Sequence, residues 1–191
     1  MVVPFLITLA LGTYDLGMGW QADITLSNAT RAGARVASSL GVANTADYAA
    51  LVAIGAALGR TPTTEVERVV VFKASSAAGT APSGCLTASA LSAGGSATDS
   101  CSVYSSTELA FAIANPNSPP ATYTGTCPGT RRDRFWCAPG RNNTQVVGGT
   151  GLDYLGVYIK VNHATSTKLF GSTIAITDTA VMRLEPSAGN P

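Results

Sequence analysis

The first forty residues carry two hydrophobic patterns in succession. From Val2 to Trp20 the chain is apolar apart from Asp15. At 1.5 Å per residue this run makes about 28 Å of helix, close to the thickness of a bilayer's hydrocarbon core. Polar residues then return without a helix breaker. At spacings of three and four, Gly12, Asp15, Gly19, Ala22, Leu26, Ala29, Gly33, Val36 and Leu40 fall on one face, with Gln21, Asp23, Ser27, Arg31 and Arg35 opposite. One long helix is expected, membrane-embedded over residues 1–20 and amphipathic over 21–41. Its seam is mostly Gly and Ala, which lets another backbone approach closely. Asp15 lies on that seam, and a carboxylate in a membrane helix costs at least about 2.5 kcal/mol. It is expected to face a neighbouring helix and to meet a cationic group there. Gly33 is expected to admit either the protein's own sheet or a second helix, so that Gly33→Leu disrupts packing and Gly33→Ala is tolerated.

Residues 42–191 read as one α+β domain. Gly41 suits a helix C-cap. Asn44 or Thr45 caps a second helix with Asp47 in its first turn, and Gly59 and Pro62 end it. Glu65–Ala74, Tyr154–Val161 and Ile174–Leu184 have the β-branched content or alternation of strands. Glu65 and Glu67 are expected as solvated charges at a strand edge. A short helix is expected over Thr107–Ala114, capped by Ser105 or Ser106, with Leu109, Phe111 and Ile113 available for burial. The fold class follows: α+β and pilin-like, a long N-terminal anchoring helix packed on an antiparallel sheet of at least three strands, with a disulfide-bonded variable region.

The first helix also carries a family resemblance. The run LALGTYDLGMGW, followed by NATRAGARVAS, resembles the N-terminal domain of TadE/TadG-like proteins, pseudopilin-like minor components of the tight-adherence (Flp) pilus system. Gly12, Thr13, Tyr14, Asp15, Leu16 and Gly17 follow the family's glycine–apolar–acidic–glycine pattern, Thr13 being the polar departure. Arg31, Ala32, Gly33, Ala34 and Arg35 follow its alanine-rich segment, and ITDTAVMRLEP is similar to the terminal strand of many members. Members carry a basic leader, a Gly cleavage site and a Glu ahead of the apolar run. This sequence opens inside that run at Met1-Val2-Val3-Pro4, so either several residues precede Met1 or this member is not cleaved by a prepilin peptidase. The resemblance implies a single-pass protein with an extracytoplasmic C-terminal domain. Its partners would be membrane lipid and other pilin-like subunits or the pilus assembly platform.

Charge and cysteine content narrow the classes. The 191 residues hold 12 basic and 11 acidic side chains, a net +1 without charge runs, so no nucleic-acid partner is indicated. The four cysteines, Cys85, Cys101, Cys127 and Cys137, contain no CxxC pair, which argues against zinc and for two disulfides in an oxidising compartment. Of three connectivities, Cys85–Cys101 with Cys127–Cys137 closes the shortest loops at least entropic cost. The second loop encloses Arg131, Arg132, Arg134, Phe135 and Trp136. It is either a recognition surface for a subunit or glycan, or a surface loop in which Phe135 and Trp136 pack beside the disulfide and the arginines are solvated.

Catalytic chemistry is not indicated. There is no phosphate loop, GxSxG or HExxH, and the lone His163 reads as a loop residue after a strand, so neither catalytic residues, cofactor nor metal are expected. The function expected is an anchored minor pilin or pseudopilin-like assembly component. The alternative is a stand-alone anchored binding module using the Cys127–Cys137 loop, and a secreted hydrolase is a remoter third.

Overall fold

The computed structural model describes residues 2–59, 61, 65–144, 151–165, 167 and 171–186, with the side chain of residue 5 excepted. Helix α1, Val2–Leu40, is continuous across the change from apolar to amphipathic sequence. It stops at Gly41, whose φ of +52° suits glycine and whose N–H donates to Ala37 O at 3.1 Å. The chain turns back into α2, Ala46–Leu58, which packs along α1. Thr45 occupies the N-cap position of α2, but its side chain makes no capping bond.

Five strands form one antiparallel sheet. In chain order they are β1 (Val66–Ala74), β2 (Gly95–Ser96), β3 (Cys101–Ser105), β4 (Tyr154–Ala164) and β5 (Thr173–Arg183), and in space β2-β3-β1-β4-β5. The three strands expected from pattern are present, and β2 and β3 arise in the Ser/Ala/Gly-rich stretch. The sheet is covered on both sides at its centre. On one side Val69, Val71, Leu155, Val157 and Ile159 pack with Leu26, Ala29, Ala34 and Ala37 of α1 and Leu51 and Ile54 of α2. On the other, Val70, Phe72 and Val103 pack with Cys85, Cys101 and Ala90. Gly156 stands opposite Phe72 on β4, and a Cβ there would lie 2.2 Å from the ring, so the glycine makes room for the phenyl.

That second layer is built from little. A 3-10 turn over Ser83–Leu86 leads into α3, Ala88–Ala93, whose N-cap Thr87 accepts from Ala90 N. The Cys85–Cys101 disulfide ties this layer to β3, and Arg68 of β1 donates to Thr87 O at 2.9 Å. Helix α4, Ser106–Ala114, starts at Ser105 with a reciprocal capping box to Glu108. Leu109 is buried, whereas Phe111 and Ile113 retain 46% and 39% exposure, so only part of the expected apolar face turns inward.

Two strand expectations are corrected. Glu67 is no solvated edge charge, because β1 is an interior strand and Glu67 pairs with Arg68 at 2.7 Å and Lys160 at 2.6 Å. His163 belongs to β4 and not to a loop, and its Nδ1 lies 3.1 Å from Glu65 Oε2.

Candidate functional site

Helix α1 has two faces with different fates. The inner face carries the seam read from sequence, and the protein's own elements cover most of it. Asp15, Leu26, Ala29 and Gly33 are buried, while Gly12, Gly19, Ala22 and Val36 are half-buried and Leu40 is 39% exposed. The receiver at Gly33 is α2: a Cβ there would lie 2.5 Å from Ile54 Cγ1. A methyl group at Gly33 would meet the Ile54 side chain, so Gly33→Ala requires that side chain to move. Asp15, 3% exposed, accepts hydrogen bonds on Oδ2 from the hydroxyl of Thr167 and, at 3.3 Å, from its backbone N–H. Asp15 thus meets Thr167, between β4 and β5 of its own chain.

The outer face, read from sequence only by its polar residues from Gln21 to Arg35, continues downward as an apolar stripe. Leu6, Ala10, Thr13, Gly17, Trp20, Ile24, Asn28, Arg31 and Arg35 follow one another at spacings of four and three, and all are exposed. Nothing lies within 4 Å of where a Cβ on Gly17 would be, and Trp20 is 71% exposed. The same spacing rule that reveals the inner seam reveals this one, so the signal was present in the sequence. The helix is long and apolar enough to cross a membrane by length and composition, and only 6% of its most apolar window is buried inside the protein.

The Cys127–Cys137 loop turns its charges inward. Both disulfides have the local connectivity expected. Arg131 is 1% exposed, and its Nε and Nη2 donate to Asp133 at 2.7 and 2.8 Å. Its Nη2 also donates to Asn44 O at 2.8 Å, just ahead of α2. Arg132 pairs with Glu108, Arg134 donates to Ala93 O, and the Arg134 guanidinium lies 4.5 Å from the Phe135 ring centroid. Trp136 is buried beneath Arg141, whose guanidinium lies 4.3 Å from the indole centroid. Phe135 and Trp136 pack down as expected, and Arg131 is buried with them and not solvated, while Arg132 and Arg134 are half-buried.

Arg141 and Asp47 form the electrostatic centre of this corner. Arg141 Nη2 donates to Asp47 Oδ1 at 2.6 Å with both side chains essentially buried, and the Tyr104 hydroxyl donates to Asp47 Oδ2 at 2.8 Å. Burial pushes the Asp47 carboxyl above its ordinary value, and Arg141 opposes that rise. Burial likewise pushes the Tyr104 phenol well above its usual range, with the Asp47 charge adding to the effect.

A cleft of about 460 Å³ opens between α1, the end of α2 and the foot of the sheet, lined by Met18, Ala22, Leu58, Glu65 and His163 among others. The Glu65–His163 pair sits at its polar side. Among the described residues no group of three or more His, Cys, Asp or Glu is placed to hold a metal ion.

No curated protein and no solved structure matched the chain. A family model described as TadE-like protein matches residues 1–35, which excludes the terminal strand but takes in both motifs of α1. The N-terminal helix is thus TadE-like in sequence, from the glycine–acidic run at Gly12–Gly17 to the alanine-rich Arg31–Arg35 segment.

Proposed function

We propose that this protein is a membrane-anchored, pseudopilin-like component of a Tad-type pilus or a related surface assembly, with α1 as both anchor and assembly element. The observation that carries the reading is the uncovered apolar stripe of α1 within a TadE-like segment. An apolar helix surface of this length, left bare by its own domain, requires lipid or other helices around it. Thr167's hold on Asp15 supports drawing the lipid boundary near Tyr14 and not at Trp20, because the sheet's foot meets the helix there. The 13 residues from Val2 to Tyr14 then supply about 20 Å of buried helix. Tyr14 and Trp20, both exposed, suit the headgroup region beyond. The disulfides suit an extracytoplasmic position for the rest of the chain.

The arginines of the Cys127–Cys137 loop each have a partner within the chain, which favours the assembly reading over a stand-alone binding module. Carbonate extraction of cell envelopes, combined with surface proteolysis and piliation of a deletion strain, tests the proposal. Retention in the integral fraction, external digestion of the domain and loss of pili are expected. Release by carbonate would sink the anchoring, and normal piliation without the protein would sink the assembly role.

A further inference from the structure

The two edges of the sheet are unlike. On one side β2 ends it with only Gly95 and Ser96, whereas on the other β5 ends it with the long run Thr173–Arg183. The register of β5 with β4 has no bulge, and the strand holds neither proline nor lysine, the devices that keep an edge from taking up another strand. Backbone bonds at the two ends of this ladder, Thr165 N–H to Ser172 O and Leu184 N–H to Asp153 O, fix its alternation. The even-numbered residues of β5 therefore bond to β4, and Thr173, Ala175, Thr177, Thr179, Val181 and Arg183 turn their N–H and C=O groups outward. Among the described residues no strand lies beyond them. The side chains at this edge are incomplete as well. Ile176, Ala180 and Met182 pack toward the core beneath α1 but stay half-buried, while their β4 partners Val161, Val157 and Leu155 are buried. Asp178 stands half-buried in the same row and makes no ion pair among the described residues.

We propose that the outer edge of β5 takes up an extended segment of a different protein, antiparallel to β5, apolar at alternate positions and carrying a lysine or arginine opposite Asp178. An extended backbone supplies donors and acceptors at the spacing of the bare edge. Its apolar side chains complete the row of Ile176, Ala180 and Met182, and its base stands with Cβ about 5 Å from that of Asp178. A second copy of this chain does not meet these terms. Strand β5 climbs α1 from Asp15, which Thr167 meets ahead of the strand, to Ser38, whose carbonyl accepts from Glu185 N–H after it. Antiparallel pairing of two β5 edges would therefore invert one α1 in the bilayer. Parallel pairing would turn the second sheet over and set its threonines against the apolar row of the first. The inference goes beyond the assembly reading and takes from it only the upright anchoring of α1, which carbonate extraction tests separately.

Amide hydrogen exchange of the full-length chain, held as single copies in nanodiscs, tests the edge, and a synthetic peptide of about nine residues tests the strand. The peptide alternates valine with threonine and carries lysine in place of its central valine. In the free protein the amides of Ala175, Thr177, Thr179 and Val181 should exchange at least about tenfold faster than those of Ile176, Asp178 and Ala180. Saturating peptide should slow the first four by about tenfold or more. N-methylating the threonines of the peptide removes the donors that face β5 and should abolish the effect. Glutamate at the peptide's centre should weaken binding by about tenfold, and Asp178→Asn should narrow that preference to about twofold. Thr177→Pro, which removes an outward N–H that β4 does not use, should block the peptide. Slow exchange of the outward amides in single free copies would overturn the proposal by showing that the chain covers its own edge. So would protection that appears only when two copies share a nanodisc, which would assign the edge to self-pairing. Failure of the peptide to protect the edge, equal binding of the N-methylated peptide, or indifference of the parent to the central charge would each overturn it too.

Discussion

A β-carbon on Gly33 of α1 would stand 2.5 Å from Cγ1 of Ile54 on α2, and Ile54 is fully buried. The two helices touch where one of them has no side chain. Replacing a mid-helix glycine with alanine ordinarily gains up to about 1 kcal/mol. Overpacking a closed interior costs about 1–3 kcal/mol, and Ile54 is hemmed in on its other sides. The clash wins, so Gly33→Ala should destabilise by about 1–2 kcal/mol in denaturant unfolding of the micellar protein, and Gly33→Leu by more. The double variant Gly33→Ala with Ile54→Ala should lose less than the sum of its singles. Strict additivity would show that the close approach is not what Gly33 is for.

Asp47 and Arg141 should be the most expensive pair in the head to break. Removing one member leaves the other charged and buried, which costs about 3–5 kcal/mol. Asp47→Ala and Arg141→Ala should each approach that range in thermal unfolding. Tyr104→Phe, which removes one hydrogen bond to the same carboxylate, should cost about 1–2 kcal/mol. Equal losses from Tyr104→Phe and Asp47→Ala would contradict the view that the buried charge pair dominates.

Glu67 gives the head an acid limb. Burial alone would raise its carboxyl, but hydrogen bonds from Lys160, Arg68 and Asn162 outweigh that and hold it at about 2 against an ordinary 4.5. A carboxyl depressed by folding contributes stability above its unfolded pKa and loses it as the pH falls through the folded value. Stability should therefore fall between pH 4.5 and about 2, and Glu67→Gln should flatten that fall while lowering stability at neutral pH. An unchanged acid limb in the variant would remove Glu67 from the account.

The two disulfides should differ in worth. Each would contribute on the order of 3 kcal/mol by chain entropy alone. Cys85 and Cys101 are fully buried and join a thin layer of small residues to β3, so replacing both with alanine should open that layer. The Cys127–Cys137 loop keeps Arg131, Asp133 and Trp136 as independent fastenings, so its loss should cost less. Melting of the two paired-alanine variants ranks them, and a larger loss from Cys127 and Cys137 would refute the argument.

Much of this architecture was legible because pattern and burial agree. In β4, Leu155, Val157, Ile159 and Val161 alternate in the sequence and are all buried. Strand β3 was not legible, since Cys101, Ser102, Val103 and Tyr104 are buried consecutively between two layers and leave no alternation to read. The inner seam of α1 was legible as a face, but its receivers lie elsewhere in the chain: Ile54 on α2, and Thr167, separated from Asp15 by 152 residues. Arg131 shows the same limit. An arginine beside Asp133 reads as a surface charge until the fold brings Asn44 over it from 87 residues away.

The grips on α1 at Asp15, Gly33 and Ser38, the last accepting from Glu185 N at 3.2 Å, lie along about 35 Å of one continuous rod. There is no neck between shaft and head for the head to swivel on. A pull along the shaft is taken up by a connection between strands at one end and by the residues that follow β5 at the other. The load is shared along the rod, and the head must turn and advance with the helix that carries it.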